Sequence, residues 1–495
     1  MRLNDLILGI DDLRLQSGDA MVDVRDLAAD SRRVKAGALF AAVPGSKLDG
    51  RVFVPDAVKA GATVILAPEG SAFADLPEGV AVLTAREPRR ALALIAARFF
   101  GRQPQCIAAV TGTGGKTSTV AFARQLWARE GRDAASLGTL GIISRKLNDP
   151  GSLTTPDPIA LHRLLAQLAE NGVTHLAIEA SSHGLDQHRL DGVKVTAAAF
   201  TNLSQDHLDY HGDMARYFEA KLRLFSDLLP EGGTAVVNLK LEQAARVMEA
   251  ARRRRQRLIT FGTADADIRL VKQTPTPQGQ LLELGLFGAH HVAEFPVAGG
   301  FQAENLLAAL GLVIGSGSDA SKIAGLIGSL TGVPGRIEHV ADTPAGGAVY
   351  VDYAHKPGAL EAVLTTLRPH AARQLVLVFG CGGDRDSGKR PIMGEIATRL
   401  ADRVIVTDDN PRSEVPAAIR AEILAKAPGA IEIGDRAEAI RVAMSELRNG
   451  DLLVIAGKGH ETYQIVGDHT YPFDDADVAR QIAAELAGAP VRLMR

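Results

Sequence analysis

The sequence predicts an α/β protein with parallel sheets, divided into three domains, and three observations carry that reading. Short β-branched and apolar runs alternate with Ala/Leu/Glu/Arg-rich stretches of helical length, the rhythm of strands joined by crossover helices. Glycine is plentiful, at 50 residues, and punctuates that rhythm. A chain of 495 residues, 46% hydrophobic and 23% charged, can fill several cores, and a prior of about 150 residues per domain makes about three of them.

Taken in order, the pattern predicts a strand over 108–111, a helix over 116–129 and a strand over 174–179. A strand over 235–238, a helix to about residue 255 and a strand over 258–261 follow. The last third repeats the alternation, with strands at 375–379, 403–407 and 452–456 and a helix at 390–400. Two stretches read as linkers, Gly101-Arg102-Gln103-Pro104-Gln105 and Gly332-Val333-Pro334-Gly335-Arg336, because Pro and Gly resist continuation of either helix or strand. The resulting domains are roughly 1–100, 101–335 and 336–495.

Composition excludes several classes. Lys+Arg 55 against Asp+Glu 58 leaves a formal charge of -3, which argues against a nucleic-acid coat or a polybasic membrane binder. Cys106 and Cys381 cannot build a disulfide framework or a four-cysteine zinc site. The apolar run at 6–10 is cut short by Asp11 and Asp12, and no stretch approaches the ~20 apolar residues of a membrane span. The expectation is a soluble, cytoplasmic protein without nucleic-acid partners, acting as a monomer.

The sharpest local feature is Val110-Thr111-Gly112-Thr113-Gly114-Gly115-Lys116-Thr117-Ser118, set between a strand and a helix. Glycines let backbone N–H groups converge on phosphate oxygens at a helix N-terminus, Lys116 adds a full charge, and the Thr117 hydroxyl can ligate Mg²⁺. The strict phosphate-loop pattern needs Gly at 110, where this chain has Val. A glycine-rich turn opening a helix is the bland alternative. Glu179 follows a buried strand, where ligands of open α/β sheets collect, and is placed to meet a metal–phosphate group. His207 and His211 stand four apart, a spacing that can share a metal on a helix face but more often caps a helix or faces solvent. By pattern alone Lys221 is a surface lysine on an amphipathic helix. The run of arginines at 252–255 reads as a solvated helix end.

Segments 111–117, 179–185, 201–211, Asp352-Tyr353-Ala354-His355, 379–391, Asp409-Asn410-Pro411-Arg412 and Gly457-Lys458-Gly459-His460-Glu461 occur in one order across nearly the whole chain. Together they resemble the Mur ligase family, ATP-dependent amide-forming enzymes of peptidoglycan precursor synthesis. The resemblance implies a UDP-sugar-binding domain, a central P-loop-type ATPase domain and a Rossmann-like C-terminal domain. It implies addition of meso-diaminopimelate to UDP-N-acetylmuramoyl-L-alanyl-D-glutamate (UDP-MurNAc-dipeptide) through an acyl phosphate, with ATP and Mg²⁺.

Carried over residue by residue, Ala29, Ser31, Ser46, Lys47 and Leu48 would meet the UDP-sugar, and Thr154, Thr155, Ser181, Gln187 and Arg189 its sugar–peptide portion. Gly112, Thr113, Gly114, Gly115, Lys116, Thr117 and Ser118 would hold the ATP phosphates, Asn305 the adenine, and Arg336 with Asp352 the remaining nucleotide. Lys116, Glu179, His207 and Lys221 would be catalytic. One Mg²⁺ would fall to Thr117 and Glu179, a second to His207 and a carbamylated Lys221. Arg385, Asp409, Asn410, Pro411, Arg412, Gly457 and Glu461 would receive diaminopimelate. Arginine supplies the charged fork that a second carboxylate needs, and lysine-adding relatives lack this one.

The chain departs from the family pattern at Gly114, where a phosphate-contacting side chain is usual, at Lys356 and Gly358, and at Ala29. Ligation with L-lysine, a folylpolyglutamate synthetase and an ATP-hydrolysing switch stay as alternatives. A dehydrogenase built on Gly380-Cys381-Gly382-Gly383-Asp384-Arg385 fails at its sixth position, which needs Gly or Ala.

Overall fold

The computed structural model describes residues 1–45, 48–73, 76–149, 153–276 and 279–488. Two compact units divide the chain, Met1–Phe261 with Ala308–Asp319, and Gly262–Leu307 with Ala320–Arg495.

Among the described residues the first unit carries two sheets. In one, strands Leu13–Ser17, Ala81–Ala85, Ala62–Pro68, Ala38–Ala41 and Asp26–Ala28 lie side by side, all parallel except the first pair. Helix Pro88–Phe100 presents Ala91, Leu92, Ile95 and Ala96 to its core. In the other, parallel strands run in the order Arg257–Phe261, Thr234–Asn238, Ala197–Phe200, Cys106–Thr111, His175–Glu179 and Ala134–Gly138. Strand Cys106–Thr111 is buried along its whole length, as expected of a central parallel strand covered on both faces. Its register sets Val110 beside Glu179 and Thr111 beside Phe200. Residues that follow these three strands therefore share the sheet's carboxyl edge, the usual ligand edge of such sheets.

The second unit holds a three-stranded antiparallel meander, Ile268–Thr276, Gly279–Leu286 and Ala289–Phe295. It also holds a sheet ordered Glu338–Asp342, Ala348–Asp352, Leu452–Ala456, Leu375–Phe379, Arg403–Val406, Ile431–Glu432, parallel after its first pair. Helices Pro357–Leu367 and Lys389–Leu400 pack into the core on one face, and Arg436–Glu446 with Asp475–Leu486 into the core on the other. A separate hairpin, Tyr463–Val466 with His469–Pro472, completes the unit.

Helix Lys116–Arg129 and strands Leu375–Phe379 and Leu452–Ala456 match the expected limits residue for residue. The meander has no counterpart in the sequence-derived scheme. Its second turn puts Phe287 and Gly288 at φ 48° and 90°, and a phenylalanine in that first position hides the usual Asn-Gly hairpin signal. The expected linker at Gly332–Arg336 is also less open than its composition suggests. Gly335 has φ +65°, and a Cβ there would run into the backbone of Gly459 and His460.

Candidate active site

The phosphate loop is assembled by main-chain fit. Gly112, at φ +144°, lies so close to Thr201 that a Cβ would collide with Oγ1, and Gly115, at φ +81°, opens helix Lys116–Arg129. The segment after strand Ala197–Phe200 braces the loop from outside. Thr201 Oγ1 donates to Gly114 O (2.7 Å), Gly114 N donates to Asn202 Oδ1 (2.8 Å), and Thr113 N donates to Asn202 O (3.0 Å). At Gly114 itself an added Cβ would meet only the Asn202 amide, at 3.7 Å or more. Glycine there is a departure that sterics do not demand. Lys116 Nζ donates to the carbonyls of Gly112 (2.9 Å) and Thr113 (3.0 Å), while Thr117 and Ser118 sit in the first helical turn.

Lys221 overturns its surface reading. The side chain is buried, 1% exposed, with Nζ donating to Gly112 O at 2.8 Å and lying 4.4 Å from the centre of the Tyr217 ring. Burial first, then the Lys116 charge, pushes its pKa well below the usual lysine value, and Asp206 opposes this. The amphipathic pattern of helix Met214–Arg223 is real, but Lys221 falls on its inward face with Tyr217, Phe218 and Ala220.

Glu179 is 1% exposed at the end of its strand. Oε1 accepts from Thr139 N (2.9 Å) and Oε2 from Thr139 Oγ1 (3.2 Å). A Cβ on Gly138 would strike the carboxylate. Among the described residues no basic side chain pairs with it. His207 takes a left-handed backbone (φ 53°), stays about half exposed and pairs with Asp206 at 3.4 Å. His211 turns inward, and both rings gather around His183, with centroids 4.8 and 5.5 Å away. Burial lowers the pKa values of His183 and His211. Thr139 and Tyr217 have no role in the sequence analysis, and Asn202 and His183 stand in its segments 201–211 and 179–185 without one. Only Gly138, a glycine closing a strand opposite an acidic residue, hints at one of them.

A hydrogen-bond chain leads away from Glu179. Ser181 Oγ donates to Thr155 Oγ1 (3.0 Å), which donates to Glu179 O (2.9 Å), and Arg189 Nη1 donates to Thr155 O (2.7 Å). Arg189 also holds Gln187 Oε1 (2.7 Å), and Thr154 Oγ1 lies 3.2 Å from Thr139 Oγ1. Gln187 and Arg189 line a cavity of about 700 Å³ together with Ala29, Ser31, Leu48 and Arg89. Ser46 and Lys47 lie outside the described residues.

The second unit has its own cavity, about 960 Å³, lined by Arg385, Asp409, Asn410, Arg412, Gly457, Glu461 and Tyr463 among others. Both signs of charge face one space. Pro411 is absent from this lining; it abuts Gly383, where a Cβ would strike its carbonyl. Arg412 holds a left-handed backbone (φ 52°) because hairpin residues grip it on both sides. Arg412 N donates to Ile465 O (3.1 Å), Gly467 N donates to Arg412 O (2.7 Å), and Nη1 reaches Gly383 O (2.8 Å).

Nearby in the same unit, buried Asp352 accepts from Ile337 N (2.7 Å) and Ala354 N (2.8 Å). Burial pushes its carboxyl up to about 6, against the pull of Arg336 and these two donors. Arg336 lies over the Tyr353 ring at 5.1 Å. Asn305 donates to Gln302 Oε1 (3.0 Å), and Gln302 in turn to Arg336 O (3.4 Å).

The donor chemistry fits Mg²⁺ in part. Thr117 and a buried Glu179 without a cationic partner are hard oxygen donors, and substrate phosphates and water would complete six-coordination. His207 and Lys221 make a second oxygen-rich site only if the Lys221 amine carries a carboxylate group. Among the described residues no three His, Cys, Asp or Glu side chains form a metal cluster by themselves.

Three family models match in succession: the Mur ligase family catalytic domain over residues 23–100, the Mur ligase middle domain over 110–313, and the Mur ligase glutamate ligase domain over 335–459. A UDP-N-acetylmuramoyl-L-alanyl-D-glutamate–2,6-diaminopimelate ligase of Bradyrhizobium diazoefficiens is 53% identical, covering 98% of this chain and 100% of its own. One of the same description from Caulobacter vibrioides is 52% identical over 91% and 94%. A solved structure of such a ligase superposes with a TM-score of 0.77 at 33% identity, covering 98% and 99%. A Mycobacterium tuberculosis folylpolyglutamate synthase complexed with ADP and AMPPCP gives 0.59 at 20% identity over 82% and 96%, a likeness of fold.

Proposed function

The chain belongs to the Mur ligase family, and from that premise we propose how its residues perform an ATP-dependent ligation, the addition of meso-diaminopimelate to UDP-N-acetylmuramoyl-L-alanyl-D-glutamate. A carboxylate is a poor electrophile toward an amine. Transfer of the ATP γ-phosphoryl to the D-glutamate carboxylate makes an acyl phosphate, and amine attack on it expels phosphate.

Loop N–H groups at 112–118 and the Lys116 ammonium offset the repulsion between two anions during transfer. For this Lys116 must leave the loop carbonyls it now holds and reach phosphate oxygens. Mg²⁺, held by Thr117 and Glu179, would screen the same charge. Carbamylation of Lys221 would turn it into an oxygen ligand beside His207. Its support is a buried, lowered-pKa amine, the neutral form that adds to CO₂.

Ala29, Ser31 and Leu48 are assigned to the UDP-sugar, and Thr154, Thr155, Ser181, Gln187 and Arg189 to its peptide arm. Asn305, Arg336 and Asp352 are kept as nucleotide contacts. The domain assignment is 1–100 for the UDP-sugar, 101–335 for ATP and 336–495 for the amino acid. No described helix is long and apolar enough to cross a membrane.

One observation carries the choice of amino acid. A single cavity offers Arg385 and Arg412 to a carboxylate, and Asp409 and Glu461 to an ammonium, the two groups at the distal centre of diaminopimelate. The test is ADP release with UDP-MurNAc-dipeptide and a panel of amino acids. Turnover is expected with meso-diaminopimelate and little with L-lysine. Efficient use of lysine would overturn the choice, and ADP release without any amino acid would overturn ligation.

A further inference from the structure

Lys458 lies behind the lining of the amino-acid cavity, next in the chain to Gly457, which lines it, and its side chain is 0% exposed. The backbone fixes its place. Gly457 and Gly459 on either side have φ +116° and +56°, and side chains there would press on Asp409 and Tyr353. Two residues before Lys458, Ala456 O accepts from Arg436 Nη2 (3.0 Å), and Arg436 is locked to Asp475 by two 2.7 Å bonds with both side chains wholly buried. The strand end that delivers Lys458 is therefore rigid.

The ammonium meets two of the cavity's own residues. Nζ lies 3.2 Å from Asn410 Oδ1 and 3.5 Å from Glu461 Oε2. Asn410 closes the triangle, its Nδ2 donating to the same Oε2 at 2.8 Å, while its Oδ1 also accepts from Ile465 N at 3.0 Å. Asn410, 2% exposed, thus spends most of its hydrogen-bonding capacity on protein. Both contacts to Glu461 use Oε2, so Oε1 keeps its lone pairs for the cavity that Glu461 lines.

We propose that Lys458 is a positioning residue for amino-acid selection: its buried ammonium, with Asn410, clamps Glu461 Oε2 so that Oε1 meets the distal ammonium of the substrate. A free glutamate side chain would sample several rotamers and pay that entropy on binding. A clamped one is preorganised. The inference rests on the assignment of this cavity to diaminopimelate and adds a residue that does not touch the substrate. Burial and the nearby Arg436 charge lower the Lys458 pKa, while Asp409, Glu461 and Asp475 work to keep the charge.

The test is a double-mutant cycle of Lys458→Met and Glu461→Gln in the full-length enzyme, read by steady-state kinetics and thermal melting. Lys458→Met is expected to raise KM for diaminopimelate about 10- to 100-fold, the loss of a charge-assisted contact. KM for ATP and kcat should change less than about threefold, as befits a ground-state contact remote from the phosphoryl group. In the Glu461→Gln background the same change should add less than about twofold, because the clamped carboxylate is already gone. Should Lys458→Met not fold, Lys458→Gln, which keeps a donor for Asn410 but no charge, takes its place with the same expectation. Full multiplication of the two effects, or a fall in kcat with unchanged KM, would overturn the proposal. A wild-type enzyme that uses diaminopimelate beside an unaltered Lys458 variant fells this proposal alone. A wild-type enzyme that ignores diaminopimelate fells the cavity assignment and this proposal with it.

Discussion

The phosphate-loop region and the amino-acid cavity each contain a buried lysine, and the two lysines differ in hydrogen-bond partners and in the number of acids nearby. Lys221 touches a carbonyl and an aromatic face, with another cation, Lys116, on the same Gly112 oxygen. Lys458 touches an amide oxygen and a carboxylate. Burial lowers both pKa values. Neighbours then differ in weight: at Lys221 the Lys116 charge adds to the drift toward the neutral amine and Asp206 alone opposes it, whereas at Lys458 Arg436 adds to it and Asp409, Glu461 and Asp475 oppose it. The regions differ in construction too. Close-fitting glycines shape both, but the second adds side chains of both charges facing one cavity.

The largest expected effect lies in the first region. Lys116→Ala should cost on the order of 10³ in kcat with little change in melting temperature, since Nζ holds two carbonyls of its own loop. Retained ADP formation would break the phosphate assignment. Lys221→Ala should fall by a similar order and be partly restored by acetate or formate, which replace a carboxylate but not an amine. Full activity without rescue would leave burial of Lys221 a matter of packing alone.

In the second region Arg412→Ala removes one charge-assisted carboxylate contact, worth about 2–4 kcal/mol. KM for diaminopimelate should rise roughly 30- to 1,000-fold, with KM for ATP nearly unchanged. An equal rise in both would mean that Arg412 shapes the unit rather than reading the substrate.

Asp352 sharpens the contrast through pH. Its carboxyl is held at about 6 in the fold against 3.8 ordinarily, so the folded protein binds the extra proton. Stability from this group is present in full below pH 3.8 and is lost as pH rises through 6, a change of about 3 kcal/mol at most. Denaturant titrations between pH 4 and 7 should show that fall in the parent and a flatter line in Asp352→Asn. Identical slopes would mean that the donors Ile337 N and Ala354 N outweigh burial.

The smallest effect belongs to Gly114→Ala. The added methyl has room beside Asn202, so turnover should change less than about threefold, whereas Gly112→Ala, with a forbidden φ and a collision at Thr201, should be inactive. Similar losses in both would show that Gly114 needs its own backbone freedom.

What was legible in the sequence is what short-range forces dictate. A strand, a glycine turn and a helix over 108–129 follow from periodicity and backbone freedom within one stretch of chain; the strand starts two residues earlier in the fold, at Cys106, and the helix limits agree residue for residue. The ordered motifs likewise identified the family, because each is a contiguous run. The meander escaped because its turn uses Phe287 where a signal residue is usual. Lys221, which the family resemblance implied, escaped the pattern for a deeper reason. Amphipathic spacing tells which residues share a helix face, but a lysine on the inward face is ruled out by pattern alone. Helical spacing already sets Tyr217 one turn away, but only tertiary packing brings Gly112 O to its amine and buries it, which shifts its protonation. The same holds for Lys458, Asn410 and Glu461, separated by up to 51 positions in the chain and joined at one carboxylate oxygen. The sequence by itself determined which chemical groups are present and which local elements carry them. Tertiary structure alone decided which are buried and beside what, because desolvation and Coulomb energy depend on neighbours that the chain brings from far away.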